Sequence, residues 1–451
     1  MKIAWFTPFH KASAIGRFSA SVTRALSGKA EVDLWISEEE SVAIHETDLR
    51  VVRYGNLGDV QLFLAKYDFV VYNMGDHPDN HARIYETSRH CPGIVILHDY
   101  VLHHFFASYY DRRNGWEEYA HAMERWYGAK LECTERGWAG PLWRVWERDE
   151  VVQYPLFEQA VQGSLGVITH SDFVCERVSE VRPGPVEKLH LAYTVDRTSP
   201  VLSRFALDIP QDRLLVVTVG NVNANKRIDV VLRALARDRD MAARLTYVVV
   251  GDCAGPFGES VQALRKELKL EDTVRFTGRV DDQTLRSYLS NADFCINLRW
   301  PVMEGGSASC AEQMLFEKAG IVTDAGVYGE LPGDCVMKVR PDHEAEDLVC
   351  HIRELASNSR LRLDIGRRAV QYAIAHFDPA LYAARILDFC DSLAAYRPAF
   401  SLMELAGKEL SRLGVTPDMA IVDTVAREGA MLLDGDYDSP ILRENSLWSP
   451  Q

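Results

Sequence analysis

The stretch 299–314, "RWPVMEGGSASCAEQM", decides how the rest of the chain is read. It sets Glu304 and Glu312 eight positions apart, on either side of a Gly305-Gly306-Ser307 step. The step follows "DFCINLR", an apolar run that reads as a buried strand. Glycine has no Cβ, so the amides of such a turn can approach a ligand closely. The helix predicted to follow offers unpaired N–H groups and a partial positive charge to an anion such as a diphosphate. Two structural alternatives stand beside this reading. Ser309-x-x-Glu312 fits a capping box, and Glu304 fits a solvated loop residue.

Working outward, strand-like runs alternate with helix-like ones along most of the chain, the pattern of parallel α/β architecture. In the first half the strand-like runs are "KIAWFTP", "EVDLWI", "DLRVVRYG", "YDFVVYNMG", "GIVILHDY" and "LGVITHSD". Each ends in small or polar residues, as expected of strands buried on both faces whose C-terminal ends open into functional loops. The rhythm breaks at 189–200, a candidate hinge. It restarts with "RLLVVTVG", "LTYVVVGD", "VRFTGRV", "DFCINLR", "IVTDAG" and "CVMKV". The expected fold class is therefore α/β with two facing Rossmann-like domains and a C-terminal helical extension. The boundaries read as 1–195, with a Trp-rich helical insertion at 111–155, then 196–378. A helix at 379–397 is expected to pack back on the N-terminal domain, followed by a helical and irregular tail at 398–451.

Composition narrows the function. At 451 residues the chain is about three times the usual domain prior. A formal net charge of −15 disfavours nucleic acid or an anionic membrane as main partner. Nine cysteines form no CxxC pair, which reads as reduced thiols in a cytoplasmic protein. "MKIAWFTPF" reads as a first strand rather than a signal peptide, and no apolar run is long enough to span a membrane. At most peripheral membrane contact is expected.

A second constellation is "VTVGNVNANKRID", residues 217–229, again a strand ending in glycine and a loop opening a helix. Adjacent Lys226 and Arg227 stand at a helix start, where the dipole disfavours cations. Their presence argues for an anionic ligand, whose charge they can neutralise without a metal. Gly-x4-Gly-Lys-Ser/Thr is absent, and no Gly-x-Gly-x-x-Gly follows the first strand, so nucleotide hydrolysis and dinucleotide redox chemistry lose ground. Trp116, Trp126, Trp138, Trp143 and Trp146 lie between Asp111 and Pro155. They read either as core packing at helical spacing or as an acceptor-binding lid, since aromatics stack on sugar faces. His98, Asp99, His103 and His104 have irregular spacing for a zinc site, and no metal is expected.

With these residues in view, the second half resembles the donor domain of GT-B glycosyltransferases of the retaining family 4. The resemblance rests on "VGNVNANKRIDVVLRAL", "VVVGD", "VRFTGRVDDQTLRSYLSNADFCINLR" and "MEGGSASCAEQM". In the first half, "YNMGDHPDNHARIY" and "GIVILHDYVLHHFF" are similar to a bacterial branch of that family with a Leu-His-Asp…Leu-His-His signature. The resemblance implies sugar transfer from a nucleoside diphosphate sugar with retention of configuration, no metal and no other cofactor. The acceptor would be a glycan, a lipid-linked saccharide or a small molecule. It places Lys226 at the donor diphosphate, with Gly220 and Asn221 in the same loop. It places Glu304 at the donor sugar, Gly305, Gly306 and Ser307 as backbone contacts, and Glu312 at the ribose. Arg279 and Val280 match the segment packing the base, Gly16 the first-loop glycine near the phosphates, and His98 a histidine near the reacting centre. Asp99, His103 and His104 fall on the acceptor side. Asn221 stands where the family usually has an arginine, and Arg227 is expected to replace that cation. Other readings are a catalytically idle GT-B subunit that binds carbohydrate or a partner glycosyltransferase, and a sugar-nucleotide epimerase.

Overall fold

The computed structural model describes residues 1–433, apart from 38–42, 56, 135–136, 183 and 417–418. The expected tail over 398–451 thus lies partly, from 434 onward, outside the described residues. The N-terminal domain carries β1 (Lys2–Phe6), β2 (Glu31–Ser37), β3 (Arg50–Tyr54), β4 (Phe69–Met74) and β5 (Ile94–Leu97). A small hairpin, β6 (Glu132–Thr134) and β7 (Gly137–Ala139), precedes β8 (Gly166–Thr169) and β9 (Val186–Lys188). The C-terminal domain carries β10 (Leu214–Val219), β11 (Leu245–Val250), β12 (Val274–Gly278), β13 (Phe294–Asn297), β14 (Ala319–Thr323) and β15 (Met337–Val339).

The first sheet runs β3-β2-β1-β4-β5-β8-β9 and the second β12-β11-β10-β13-β14-β15, parallel throughout. Alternation along β1 shows why these apolar runs become central strands. Ala4 and Phe6 enter one apolar cluster, and Ile3 and Trp5 enter the cluster on the opposite face. A side-chain period of two buries both faces when helices cover both. In each sheet the strand order reverses beside the first strand, between β1 and β4 and between β10 and β13. Loops leaving strands at such a switch point form a crevice.

The tryptophans of 111–155 turn inward. Trp116, Trp126, Trp143 and Trp146 pack on the cluster beneath β4 and β5, and Trp138 on β7 stacks on Trp143. The long C-terminal helix runs Pro379–Arg412, is followed by a further helix Ala420–Leu433, and lays Tyr382, Ile386, Phe389 and Leu393 against Phe18, Val22 and Leu26 of the helix Ala14–Leu26. The long helix continues through Pro398, where a separate stretch was expected to begin. Proline removes one helix N–H without ending the helix here. Among the described residues no helix is long and apolar enough to cross a membrane.

The anchored and projecting parts of this helix should respond differently to truncation. Ile386 is fully buried, so Ile386→Ala is expected to cost about 2–5 kcal/mol of stability by urea denaturation. Leu405 is 56% exposed, and Leu405→Ala should stay within about 0.5 kcal/mol.

Candidate active site

After β10 the chain turns at Gly220 with φ +106°, and a Cβ there would stand 2.6 Å from the Lys226 ammonium. Glycine is therefore what lets Lys226 fold back beneath the loop, where Nζ donates to the Val219 carbonyl at 3.0 Å. Burial, helped by the nearby Arg299 cation, holds the Lys226 pKa well below the ordinary lysine value. No carboxylate is within ion-pair reach of it among the described residues. Arg227 behaves otherwise. It sits at φ 56° at the start of the helix Ile228–Arg237, and its guanidinium grips Glu344, Nη2 lying 2.6 Å from Oε2. The expected pairing of Lys226 with Arg227 on one anion is thus corrected: the left-handed residue points the neighbouring side chains apart. Asn221 is exposed on the loop.

Beyond β13 the Glu304 carboxylate is clamped from several sides. Arg299 Nε lies 3.1 Å from Oε1, the Tyr328 hydroxyl donates to the same oxygen, and the Met303 amide donates to Oε2 at 3.3 Å. Tyr328 Oη also lies 2.9 Å from Ser307 Oγ. Glu304 is therefore no solvated loop residue. Arg299 is 6% exposed, and its other nitrogens donate to the Leu298 carbonyl and the Ser309 hydroxyl. Sequence reasoning missed Arg299 and Tyr328. The available signal was an arginine placed directly after an apolar strand, a position that demands an anionic partner.

The helix Ala308–Leu315 is capped by Ser307, whose Oγ accepts from the Cys310 amide at 3.3 Å. The Ser309–Glu312 capping box is therefore not formed. Ser309 instead donates to Asn297 Oδ1 at 3.2 Å. Glu312 is buried, and burial pushes its pKa up to about 7 against the opposing pull of Arg17 and the Tyr193 hydroxyl. Arg17 crosses from the N-terminal domain to reach Tyr193 Oη at 3.3 Å and Asp282 at 3.2 Å. It too went unnoticed in the sequence. Gly16 lies in the first turn of its helix rather than in a loop, with its amide on Ser13 Oγ.

The Gly-Gly turn docks on the end of β5. Gly305 N donates to the His98 carbonyl at 2.9 Å, and the Tyr100 and Val101 amides both donate to Met303 O, at 2.8 and 3.0 Å. The Gly305 amide is thus engaged by protein, a correction to the expectation that it faces a diphosphate. Gly306 packs against His170 and Leu191, leaving about 3 Å to where a Cβ would stand. His98 is 6% exposed and presents no free nitrogen: Nε2 faces Asn73 Oδ1 at 3.0 Å and Nδ1 faces His170 Nε2 at 3.1 Å. Burial holds its pKa well below the histidine norm. A ring that reaches into the cleft was expected, and the structure turns it onto the N-terminal core.

Asp99 Oδ2 accepts from the Asp76 amide at 2.9 Å, and burial, reinforced by the Asp76 charge, pushes its pKa up to about 7. His104 lies 3.1 Å from Asp76, and burial opposes its protonation, but the Asp76 hydrogen bond and charge prevail and raise its pKa. His103 leaves the acceptor side. Its Nδ1 meets the Tyr154 carbonyl, Nε2 meets Tyr119 Oη at 2.8 Å, and burial lowers it to about 4. Arg279 is exposed, 3.8 Å from Asp252, while Val280 packs on the apolar cluster beneath β10 and β11. Among the described residues no group of three or more His, Cys, Asp or Glu is arranged to hold a metal ion.

Comparison with known proteins agrees with this layout. The chain is 24% identical over 261 residues to D-inositol 3-phosphate glycosyltransferase of Saccharomonospora viridis, covering 53% of this chain and 58% of that protein. It thus spans little more than half the length of that curated relative. Among solved structures it is similar to sucrose-phosphate synthase from Thermosynechococcus elongatus, with TM-score 0.62 and 15% identity over 88% of this chain and 100% of that one. It is also similar to Anabaena HepE in complex with UDP-glucose, with TM-score 0.60 and 15% identity over 87% and 100%. The two sheets and their facing loops form a GT-B fold, and residues 202–372 match the family Glycosyl transferases group 1.

Proposed function

We propose that the chain transfers a sugar from a nucleoside diphosphate sugar to an acceptor hydroxyl, with retention of anomeric configuration and without a metal. The observation that carries this reading is the juxtaposition, at the switch point of the second sheet, of a buried lysine lacking a carboxylate and a glutamate clamped by Arg299 and Tyr328. The family match over 202–372 and the UDP-glucose bound by a structural neighbour support a nucleotide-sugar donor. The acceptor is a glycan, a lipid-linked saccharide or a small molecule, in cytoplasmic synthesis of bacterial glycans or glycoconjugates.

In this reading the donor lies on the C-terminal domain. Lys226 meets the diphosphate, Glu304 orients the sugar, Glu312 takes the ribose diol, and the base packs at Arg279–Val280. Negative charge collects on the diphosphate as the glycosidic bond breaks, and Lys226 with the amides around Gly306 and Ser307 stabilises it. An arriving diphosphate restores to Lys226 the charge that burial disfavours, so the cation is strongest when the leaving group needs it. The acceptor approaches over Asp99 and His104 and attacks the face from which the diphosphate departs, and a diphosphate oxygen takes the acceptor proton. Closure of the domains excludes water that would hydrolyse the donor.

Glu304→Gln removes the charge but keeps the shape. It should lower kcat about 10²–10³-fold and leave UDP affinity within about threefold, read from steady-state rates and calorimetry. Lys226→Ala should weaken UDP binding and transfer together. Asn221→Arg supplies a cation on the exposed loop and should tighten UDP binding several-fold. Transfer should survive EDTA, and product NMR should show the donor's anomeric configuration. A thermal-shift screen over UDP, GDP, TDP and ADP sugars should give a stabilisation with at least one of them, and its absence with all four would remove this reading.

A further inference from the structure

We propose that His98 and His170 act as one proton-linked unit, two tilted rings in nitrogen-to-nitrogen contact that together gain a proton when a diphosphate enters the crevice. The inference rests on the sugar-nucleotide reading above and deepens it by assigning His170 as a positioning residue. The two rings lie in the middle of a buried hydrogen-bond chain whose ends fix where the protons sit. His170 Nδ1 lies 3.0 Å from the Leu189 carbonyl, which can only accept, so Nδ1 carries a proton. At the other end the Asn73 amide group donates to the Phe6 carbonyl at 2.9 Å. That contact fixes the orientation of Asn73 and leaves its Oδ1 facing His98 Nε2 at 3.0 Å, so His98 Nε2 also carries a proton.

Between the two rings, His170 Nε2 and His98 Nδ1 face each other at 3.1 Å. Two neutral imidazoles hold one proton each, and both are already placed at the outer ends. The central contact therefore sets lone pair against lone pair unless one more proton arrives. With it every link is a hydrogen bond and the pair carries a single positive charge. Burial opposes that charge on both rings. Their titratable neighbours, His81 and His190, oppose it further, and no carboxylate touches either ring among the described residues. Phe18 of the helix Ala14–Leu26 and Tyr382 of the C-terminal helix close the other sides, Phe18 standing edge-on to His98 at 4.8 Å.

The pair is thus balanced between a faulty neutral chain and a complete but costly cationic one. An anion can tip it, and the diphosphate turn is adjacent. Gly306 packs on the His170 side chain, and Gly305 N is bonded to the His98 carbonyl. The proton comes from solvent, forms one N–H bond and leaves again when the diphosphate is released. Its charge adds to that of Lys226 from the opposite wall of the crevice.

Calorimetry with UDP at pH 8, in two buffers of different ionisation enthalpy, counts the protons exchanged on binding. Lys226, Glu312 and Asp99 can also exchange protons, so the readout is the difference between wild type and His170→Phe, which keeps an aromatic ring among Phe18 and Tyr382. Wild type should take up about one proton more per UDP than the variant. Its UDP affinity should then fall up to about tenfold more steeply per pH unit between pH 7 and 9. Equal proton counts overturn the paired role while UDP binding itself keeps the sugar-nucleotide reading. No binding of UDP, GDP, TDP or ADP overturns both. Wild-type protein labelled with 15N-histidine gives the same test without a substitution. One ring should pass from neutral to protonated as UDP saturates, and two rings that stay neutral, or stay charged throughout, overturn the inference.

Discussion

A guanidinium taken out of water is tolerated only where an anion meets it, and Arg299 is almost wholly buried at the end of β13. Its partner is Glu304, held 3.1 Å away, so the cation and the carboxylate fix each other in a place where neither would rest alone. Tyr328 extends the clamp to Ser307, the residue that caps the following helix. One ion pair therefore sets the orientation of the carboxylate, the shape of the Gly-Gly turn and the start of the helix behind it. Removing Arg299 would leave the half-buried Glu304 carboxylate with its Tyr328 and Met303 hydrogen bonds but without its counter-charge.

The parts of the fold written in runs of apolar residues were legible. Twelve strand-like runs read from the chain coincide with β1–β5, β8 and β10–β15, because a parallel strand buried on both faces has little choice of composition. What escaped was short or polar. Strand β9 is Val-Glu-Lys and β6 and β7 are three residues each, and none of them offers a period to read. At the site, Lys226, Glu304 and Glu312 are recognisable from spacing against strand ends. Which neighbour each one contacts depends on backbone conformations that sequence does not announce. Arg227 adopts a left-handed conformation and turns to Glu344, and Ser307 rather than Ser309 takes the cap. Arg17 and Tyr328 approach from distant parts of the chain, where no local pattern could mark them.

The seam between the domains is built from the same economy of charges. The Glu330 carboxylate accepts from the amides of Asp172 and Phe173, at 2.9 and 2.7 Å, at the start of the helix Asp172–Val181 in the other domain. A carboxylate at a helix N-terminus satisfies orphan donors and meets the positive end of the dipole. Ser171, the residue in position to cap that helix itself, has a buried hydroxyl without a partner among the described residues. Capping across the seam ties the helix to the second domain. Arg17 with Asp282 and Met303 O with the Tyr100 and Val101 amides make two further ties. The crevice is thus framed by contacts that belong to the site residues or to their immediate neighbours.

That arrangement explains how the buried cations beside Glu304 favour an anion. Lys226 and Arg299 are both buried, and Arg299 lowers the tendency of Lys226 to hold its proton. Glu304 offsets this only in part, because the Arg299–Tyr328 clamp already engages its carboxylate. Two neighbouring cations, of which only Arg299 is paired with a carboxylate, repel each other more strongly in a medium of low dielectric than they would in water. A dianion placed against Lys226 relieves that repulsion and recovers the charge of the lysine in one step. The Val219 carbonyl takes one hydrogen bond of the ammonium group, which is otherwise largely withdrawn from solvent. The favourable energy is therefore withheld until an anion arrives, and it grows as that anion becomes more negative.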